Sequence, residues 1–303
     1  MITEAGLNHT FGIPGALIFE QDAGGLLFAR MATDAGTASL SLQGGHLLSW
    51  QSSASAEPVL WMSKQARFAA GKSIRGGVPV CWPWFGPHAT DPSLPAHGFA
   101  RIAQWSVTGS DVNAQGEVSI TLALQHDLAH ETVWPHSANL SLTVTLGESL
   151  RMQLETRNSG MTPFVLGEAL HTYFNISDIE AVTVHGLEGG EYWDTVGGVE
   201  KKRQAGPIEF SAETDRVYIN SDAATVIDDP VYARRIHIAK CGSLTTVVWN
   251  PWTDKANRMG DLGQPDGWRQ MLCVESANAW DNKITLAPGA VHSLDVAYRV
   301  ETR

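Results

Sequence analysis

The 303 residues are 43% hydrophobic and 17% charged, a balance that supplies a sizeable core and excludes intrinsic disorder. A formal net charge of −11 at pH 7 argues against general nucleic-acid binding. No apolar run approaches the ~18 residues of a membrane span, and Met1-Ile2-Thr3-Glu4 lacks the basic and apolar regions of a signal peptide. Period-two alternation then supplies the predicted elements. Val118, Ile120, Leu122 and Leu124 alternate with Ser119, Thr121 and Ala123, which predicts a strand with one apolar face. Leu140, Leu142, Val144 and Leu146 pass through Gly147-Glu148-Ser149 into Leu150, Met152 and Leu154, the pattern of a hairpin. Val182 and Val184, Ile236 and Ile238, Val247 to Trp249, Ile284 to Leu286 and Leu294 to Val300 give further strands. Gly186 to Gly206 reads as a glycine-rich loop carrying short strands.

Helical periodicity beyond two turns is hard to find, because proline and glycine interrupt it. About 150 residues per domain would give two domains, yet no linker rich in Pro, Ser or charge divides the chain. The expectation is an all-β, antiparallel sandwich forming a single domain over residues 1–303. Cys81, Cys241 and Cys273 are odd in number and far apart. They predict neither disulfides nor a CxxC metal pair, and they suit a cytoplasmic setting.

Charge is unevenly spread. Between Pro58 and Ser110 stand Lys64, Arg67, Lys72, Arg75 and Arg101 against the single acid Asp91. That stretch is either a solvated face or a pocket for a small anion. Its densest segment runs from Ser73 to Pro87, where two glycines follow Arg75 and three prolines stiffen what comes after. An arginine so mounted can offer its planar fork to two phosphate oxygens; a surface arginine beside an aromatic loop is the alternative. His97 precedes Arg101 by four residues, a spacing that defines no metal pair in extended backbone.

His171 lies in the apolar run Leu170-His171-Thr172-Tyr173-Phe174, which predicts a buried strand. Imidazole titrates near neutrality and can give or take a proton there. Glu168, three residues earlier, would suggest a metal motif on a helix, but Pro163 and the β-like neighbours argue against one. Glu275 is embedded in Cys273-Val274-Glu275-Ser276, where burial would raise its pKa and suit it to proton transfer; a salt-bridged structural glutamate is the equal alternative. His126, His130 and His136 surround Trp134-Pro135 without an HExxH glutamate and read as a polar loop. Eleven tryptophans, among them Trp82, Trp84, Trp249 and Trp252, exceed what a core needs; indole faces pack against sugars, although core packing explains most of them.

Taken in order, several segments resemble the aldose 1-epimerase superfamily, and within it the hexose-6-phosphate mutarotases (glucose-6-phosphate 1-epimerases) of the YeaD-like group. They are Arg75-Gly-Gly-Val-Pro-Val-Cys-Trp-Pro-Trp-Phe-Gly-Pro87, His97-Gly-Phe-Ala-Arg101, Leu170-His-Thr-Tyr-Phe-Asn175, Glu213-Thr-Asp-Arg-Val-Tyr218, Trp249-Asn-Pro-Trp252, Cys273-Val-Glu275 and Ile284-Thr-Leu-Ala-Pro-Gly289. Each motif alone is weak; the ordered set, spanning roughly residues 15 to 300, is specific. The resemblance implies a galactose-mutarotase-like β-supersandwich without metal or cofactor. It implies His171 as catalytic acid and Glu275 as catalytic base. Arg75 and Arg101 would bind phosphate, Asp215 the sugar hydroxyls, and His97 the pocket. Ala96 departs from members that carry a polar residue at that position, so a side-chain contact is lost there.

The residue types suit that chemistry. Interconverting α and β hexopyranoses requires a base at O1 and an acid at the ring oxygen O5, followed by rotation about C1–C2 and reclosure with the roles exchanged. The implied partner is a small hexose 6-phosphate, with no nucleic acid, membrane or obligatory protein partner. Three rivals stay open: a mutarotase for free galactose or glucose, a non-catalytic sugar-binding domain of the same fold, and a glycoside hydrolase. The arginine pair speaks against the first, the His171–Glu275 pair against the second, and the lack of two opposed carboxylates against the third.

Overall fold

The alternation read from the sequence is the alternation the chain uses. The computed structural model describes residues 3–124, 132–262 and 266–303; His126 and His130 lie outside them. In Val118–Leu124 the residues Val118, Ile120 and Leu122 are buried and Ser119 and Thr121 are partly exposed. Ala138–Leu146 and Leu150–Asn158 pair in register from Leu146 opposite Leu150 to Ala138 opposite Asn158. These strands belong to an eight-stranded antiparallel back sheet. Its order is Thr183–His185, Thr225–Asp229, Arg234–Cys241, Val291–Thr302, Leu150–Asn158, Ala138–Leu146, Val118–Leu124 and Trp105–Val112.

A front sheet of eight strands follows the order Glu200–Arg203, Glu191–Asp194, Thr214–Tyr218, Thr245–Asn250, Met271–Asn278, Glu168–Leu170 and Val80–Cys81. Tyr173–Asn175 is its eighth strand and also pairs with Met271–Asn278. A third sheet is the meander Leu17–Gln21, Leu27–Thr33, Gly36–Ser41 and His46–Ser52, and Phe164–Leu166 pairs with Ile284–Leu286. Sequence alternation did not single out the meander. In Gly36–Ser41 the residues Thr37, Ser39 and Ser41 do alternate with Ala38 and Leu40, but Ala38 to Ser41 are all buried, so only Thr37 of the polar set reaches solvent.

One buried cluster takes residues from all three large sheets. Tyr298 of the back sheet meets the rings of Phe174 at 5.5 Å and Trp50 at 6.4 Å. Thr172 Oγ1 and Tyr298 OH are 2.6 Å apart, and Trp82 Nε1 donates to Thr156 Oγ1 at 3.1 Å, so these four buried polar groups are paired. Among the described residues the α-helices are Glu4–Phe11 and Trp252–Met259, each of eight residues. None is long and apolar enough to cross a membrane.

Candidate active site

A cavity of ≈ 570 Å³ opens on the front sheet. Asp215 and Val217 of Thr214–Tyr218, Val247 and Trp249 of Thr245–Asn250, and Glu275 of Met271–Asn278 all line it. Asp215 pairs with Trp249, Val217 with Val247, and Val247 with Glu275. Period-two geometry therefore sends these five side chains to one face of three neighbouring strands. Val248 and Val274, one residue out of phase, do not line the cavity.

His171 enters from the side, and here the structure corrects the sequence reading. The histidine does not lie within a strand but between Glu168–Leu170 and Tyr173–Asn175. Its backbone N–H donates to the Pro79 carbonyl at 3.0 Å, while that of Tyr173 donates to Gly77 at 2.9 Å. Gly77 has φ +61, and a Cβ there would stand 2.2 Å from the Leu47 carbonyl oxygen, so only glycine permits this approach. The imidazole stacks on the Tyr173 ring at 4.8 Å and 7°, with its edge toward Trp249 and His97. Its Nε2 lies 3.4 Å from Glu275 Oε1. His171 Nδ1 and Glu275 Oε2 have no hydrogen-bond partner among the described residues.

Arg75 and His97 form another wall. Arg75 donates from Nε to Asp261 Oδ2 at 3.1 Å and from Nη1 to Tyr173 OH at 2.8 Å, leaving Nη2 without a partner among the described residues. His46 holds the next carbonyl, that of Gly76, at 2.7 Å. His97 adopts φ 64, an unusual conformation for a non-glycine residue. Gly98 behind it could carry no Cβ, which would meet the Trp82 carbonyl oxygen at 1.9 Å. Gly86 N–H donates to His97 Nδ1 at 3.3 Å, which places the ring proton on Nε2.

Burial dominates the electrostatics. It pushes Glu275 well above the usual carboxylate range, and the charge of Asp215 adds to the rise. Burial, reinforced by His97, Arg75 and Arg101, holds His171 well below an ordinary imidazole. Burial likewise lowers His97 to about 3, helped by Arg101 and Arg75. Asp215 is raised by burial although Lys255 Nζ stands 3.5 Å away. The shifts at His171 and Glu275 both favour the uncharged form of the pair, imidazole beside carboxylic acid. That form differs from imidazolium and carboxylate only by one proton moved within the pair.

Of the residues singled out by sequence, Arg75, His97, His171, Asp215 and Glu275 line the one cavity, and Arg101 does not. Arg101 donates from Nη2 to the Ala96 carbonyl at 2.7 Å and reaches His97 and His171 through its charge. Lys64, Arg67 and Lys72 of the basic stretch do not line the cavity either. Glu168, considered for a metal motif, lies instead in a buried contact 3.0 Å from His292 Nε2, with Asn278 Nδ2 donating to it at 2.9 Å. Sequence reasoning missed Tyr173, Lys255, Asp261, Trp280 and Lys283. Tyr173 carried a signal, two residues beyond His171 in the same motif; Asp261, 186 residues from Arg75, carried none.

The family model described as aldose 1-epimerase matches residues 29–299. A protein named "Putative glucose-6-phosphate 1-epimerase" from Escherichia coli (strain K12) is 41% identical over 243 residues, 80% of each chain. One of the same name from Cenchrus ciliaris is 38% identical over 261 residues, 83% of this chain and 78% of that one. The crystal structure titled a putative mutarotase (YeaD) from Salmonella typhimurium superposes with a TM-score of 0.88 at 34% identity, covering 96% of this chain and 95% of that one.

Proposed function

The chain belongs to the aldose 1-epimerase family, and from that premise we propose that it interconverts the α and β anomers of a hexose 6-phosphate, glucose 6-phosphate first. The observation that carries this reading is the buried His171–Glu275 pair, 3.4 Å apart on the wall of a cavity that Arg75 also lines. Glu275 as carboxylate takes the proton of O1 while His171 as imidazolium gives one to O5. The ring opens, C1–C2 rotates, and reclosure on the other face returns both protons. A positioned acid–base pair supplies about 10²–10⁴ in rate. Neither a metal nor an organic cofactor has a step in this reaction.

The substrate's phosphate has a second consequence. Arg75 and Arg101 are among the charges that disfavour imidazolium at His171. A bound dianion offsets their field and so relieves that part of the penalty on the His171 imidazolium. Asp215 accepts from sugar hydroxyls, His97 Nε2–H donates to the ligand, and Trp249 offers an indole face. Arg75 supplies Nη2 directly, and Arg101 contributes its charge from behind. Anomer exchange measured by NMR on glucose 6-phosphate, free glucose and free galactose tests the reading. Fast exchange of the phosphorylated sugar alone is expected; equal exchange of all three would replace it with a free-sugar mutarotase, and no exchange with a binding domain.

A further inference from the structure

The acid–base pair has a third neighbour that the reaction does not use. Cys273 stands two residues before Glu275 on Met271–Asn278, so both side chains leave the same face of the strand. Its thiol is fully buried and free. One ligand atom each from His171, Cys273 and Glu275 lie within 4.8 Å of one another. The 3.4 Å between His171 Nε2 and Glu275 Oε1 matches the separation of two ligands bonded at about 2.0–2.1 Å to a tetrahedral ion, about 3.4 Å. A thiolate bonded at about 2.3 Å would stand about 3.6 Å from both, so Cys273 Sγ needs to advance by roughly 1 Å. Glu275 Oε2 and His171 Nδ1 have no partner among the described residues whose contact would have to break.

We propose that His171, Cys273 and Glu275 form a binding site for Zn²⁺, and that its occupation shuts the enzyme. Imidazole, thiolate and carboxylate are the donor set a borderline-soft divalent ion prefers, and three protein ligands leave a fourth position for solvent on the cavity side. Binding releases one proton from the Cys273 thiol and one from the His171–Glu275 pair, both to solvent, with no change of oxidation state. The ion ties up both proton carriers and competes with the sugar. Its effect on turnover rests on the acid–base reading above, whereas the binding itself does not. Mg²⁺, which prefers octahedral oxygen ligands, does not substitute.

Isothermal titration calorimetry of Zn²⁺ into the full chain without an affinity tag is the test, read beside NMR anomer exchange. One equivalent of Zn²⁺ should bind, no Mg²⁺ should bind, exchange of glucose 6-phosphate should stop with one ion bound, and a chelator should restore it. Cys273→Ser, with Cys273→Ala as the alternative if it does not fold, should weaken Zn²⁺ by about tenfold or more while exchange without metal persists. His171→Ala should weaken it similarly, and Cys241→Ser, at an exposed thiol, should not. Diffraction at the zinc absorption edge locates the ion in the unaltered protein, independently of any variant. Absence of saturable Zn²⁺ binding, or affinity indifferent to Cys273 and His171, overturns the proposal. Zinc bound at Cys273 in a protein that turns over no hexose 6-phosphate would sink the functional reading and leave the metal site standing.

Discussion

Glu275→Gln separates catalysis from folding. The side chain is 2% exposed, and its replacement by an amide of nearly the same volume leaves no cavity. Burial and Asp215 raise the carboxyl's pKa in the folded state. At pH 7 the unfolded chain ionises this group more readily than the folded one, so the carboxyl opposes folding there, increasingly as pH rises above its unfolded value. The amide removes that opposition. Against this, an amide hydrogen left without an acceptor costs about 1–3 kcal/mol, a loss limited because His171 Nε2 can accept one. The two effects nearly cancel, and Tm at pH 7 should shift by no more than about 4 °C. Turnover has no such compensation, since an amide cannot take the O1 proton. The loss should be about 10²–10⁴-fold, or about 3–5 kcal/mol of transition-state stabilisation. Two-dimensional exchange NMR of the glucose 6-phosphate anomeric protons measures it after subtraction of spontaneous mutarotation. Exchange within tenfold of wild type, or activity and Tm falling together, would refute the reasoning.

Arg75→Ala should lower kcat/KM for hexose 6-phosphate by about tenfold to a hundredfold, since charge-assisted hydrogen bonds are each worth about 1.5–3 kcal/mol, and Arg75→Lys should recover only part. Tyr173→Phe, which removes the phenol that Arg75 contacts, is the control; equal losses on phosphorylated and free sugars would assign Arg75 to support of the fold. His46, lowered by burial to about 4, binds a proton on unfolding, so its contribution is present above pH ~6.5 and lost as pH falls toward ~4, roughly 3 kcal/mol over that window. Urea unfolding at pH 7, 5.5 and 4 should show this slope in the wild type and a shallower one in His46→Gln; parallel slopes would remove His46 from the account.

What one sequence determines here is whatever depends on residues near one another in the chain. Alternation at Val118–Leu124 and across Leu140–Leu154 marks strands with one wet and one dry face, because pleating sends successive side chains to opposite sides. Trp252–Met259 offered no such signal, being only eight residues long. The Arg75, His97, His171, Asp215 and Glu275 motifs were likewise legible, each weak alone but together an ordered set that resembles the aldose 1-epimerases. Distance in the chain hid the rest. That Asp261 and Tyr173 hold Arg75, that Arg101 acts on the histidines from outside the cavity wall, and that His171 comes to stand beside Cys273 and Glu275 follow from strand register and loop closure. The same folding withdraws water from His171 and Glu275. Burial penalises charge, lowering the proton affinity of His171 and raising that of Glu275, and only tertiary structure decides which groups are buried.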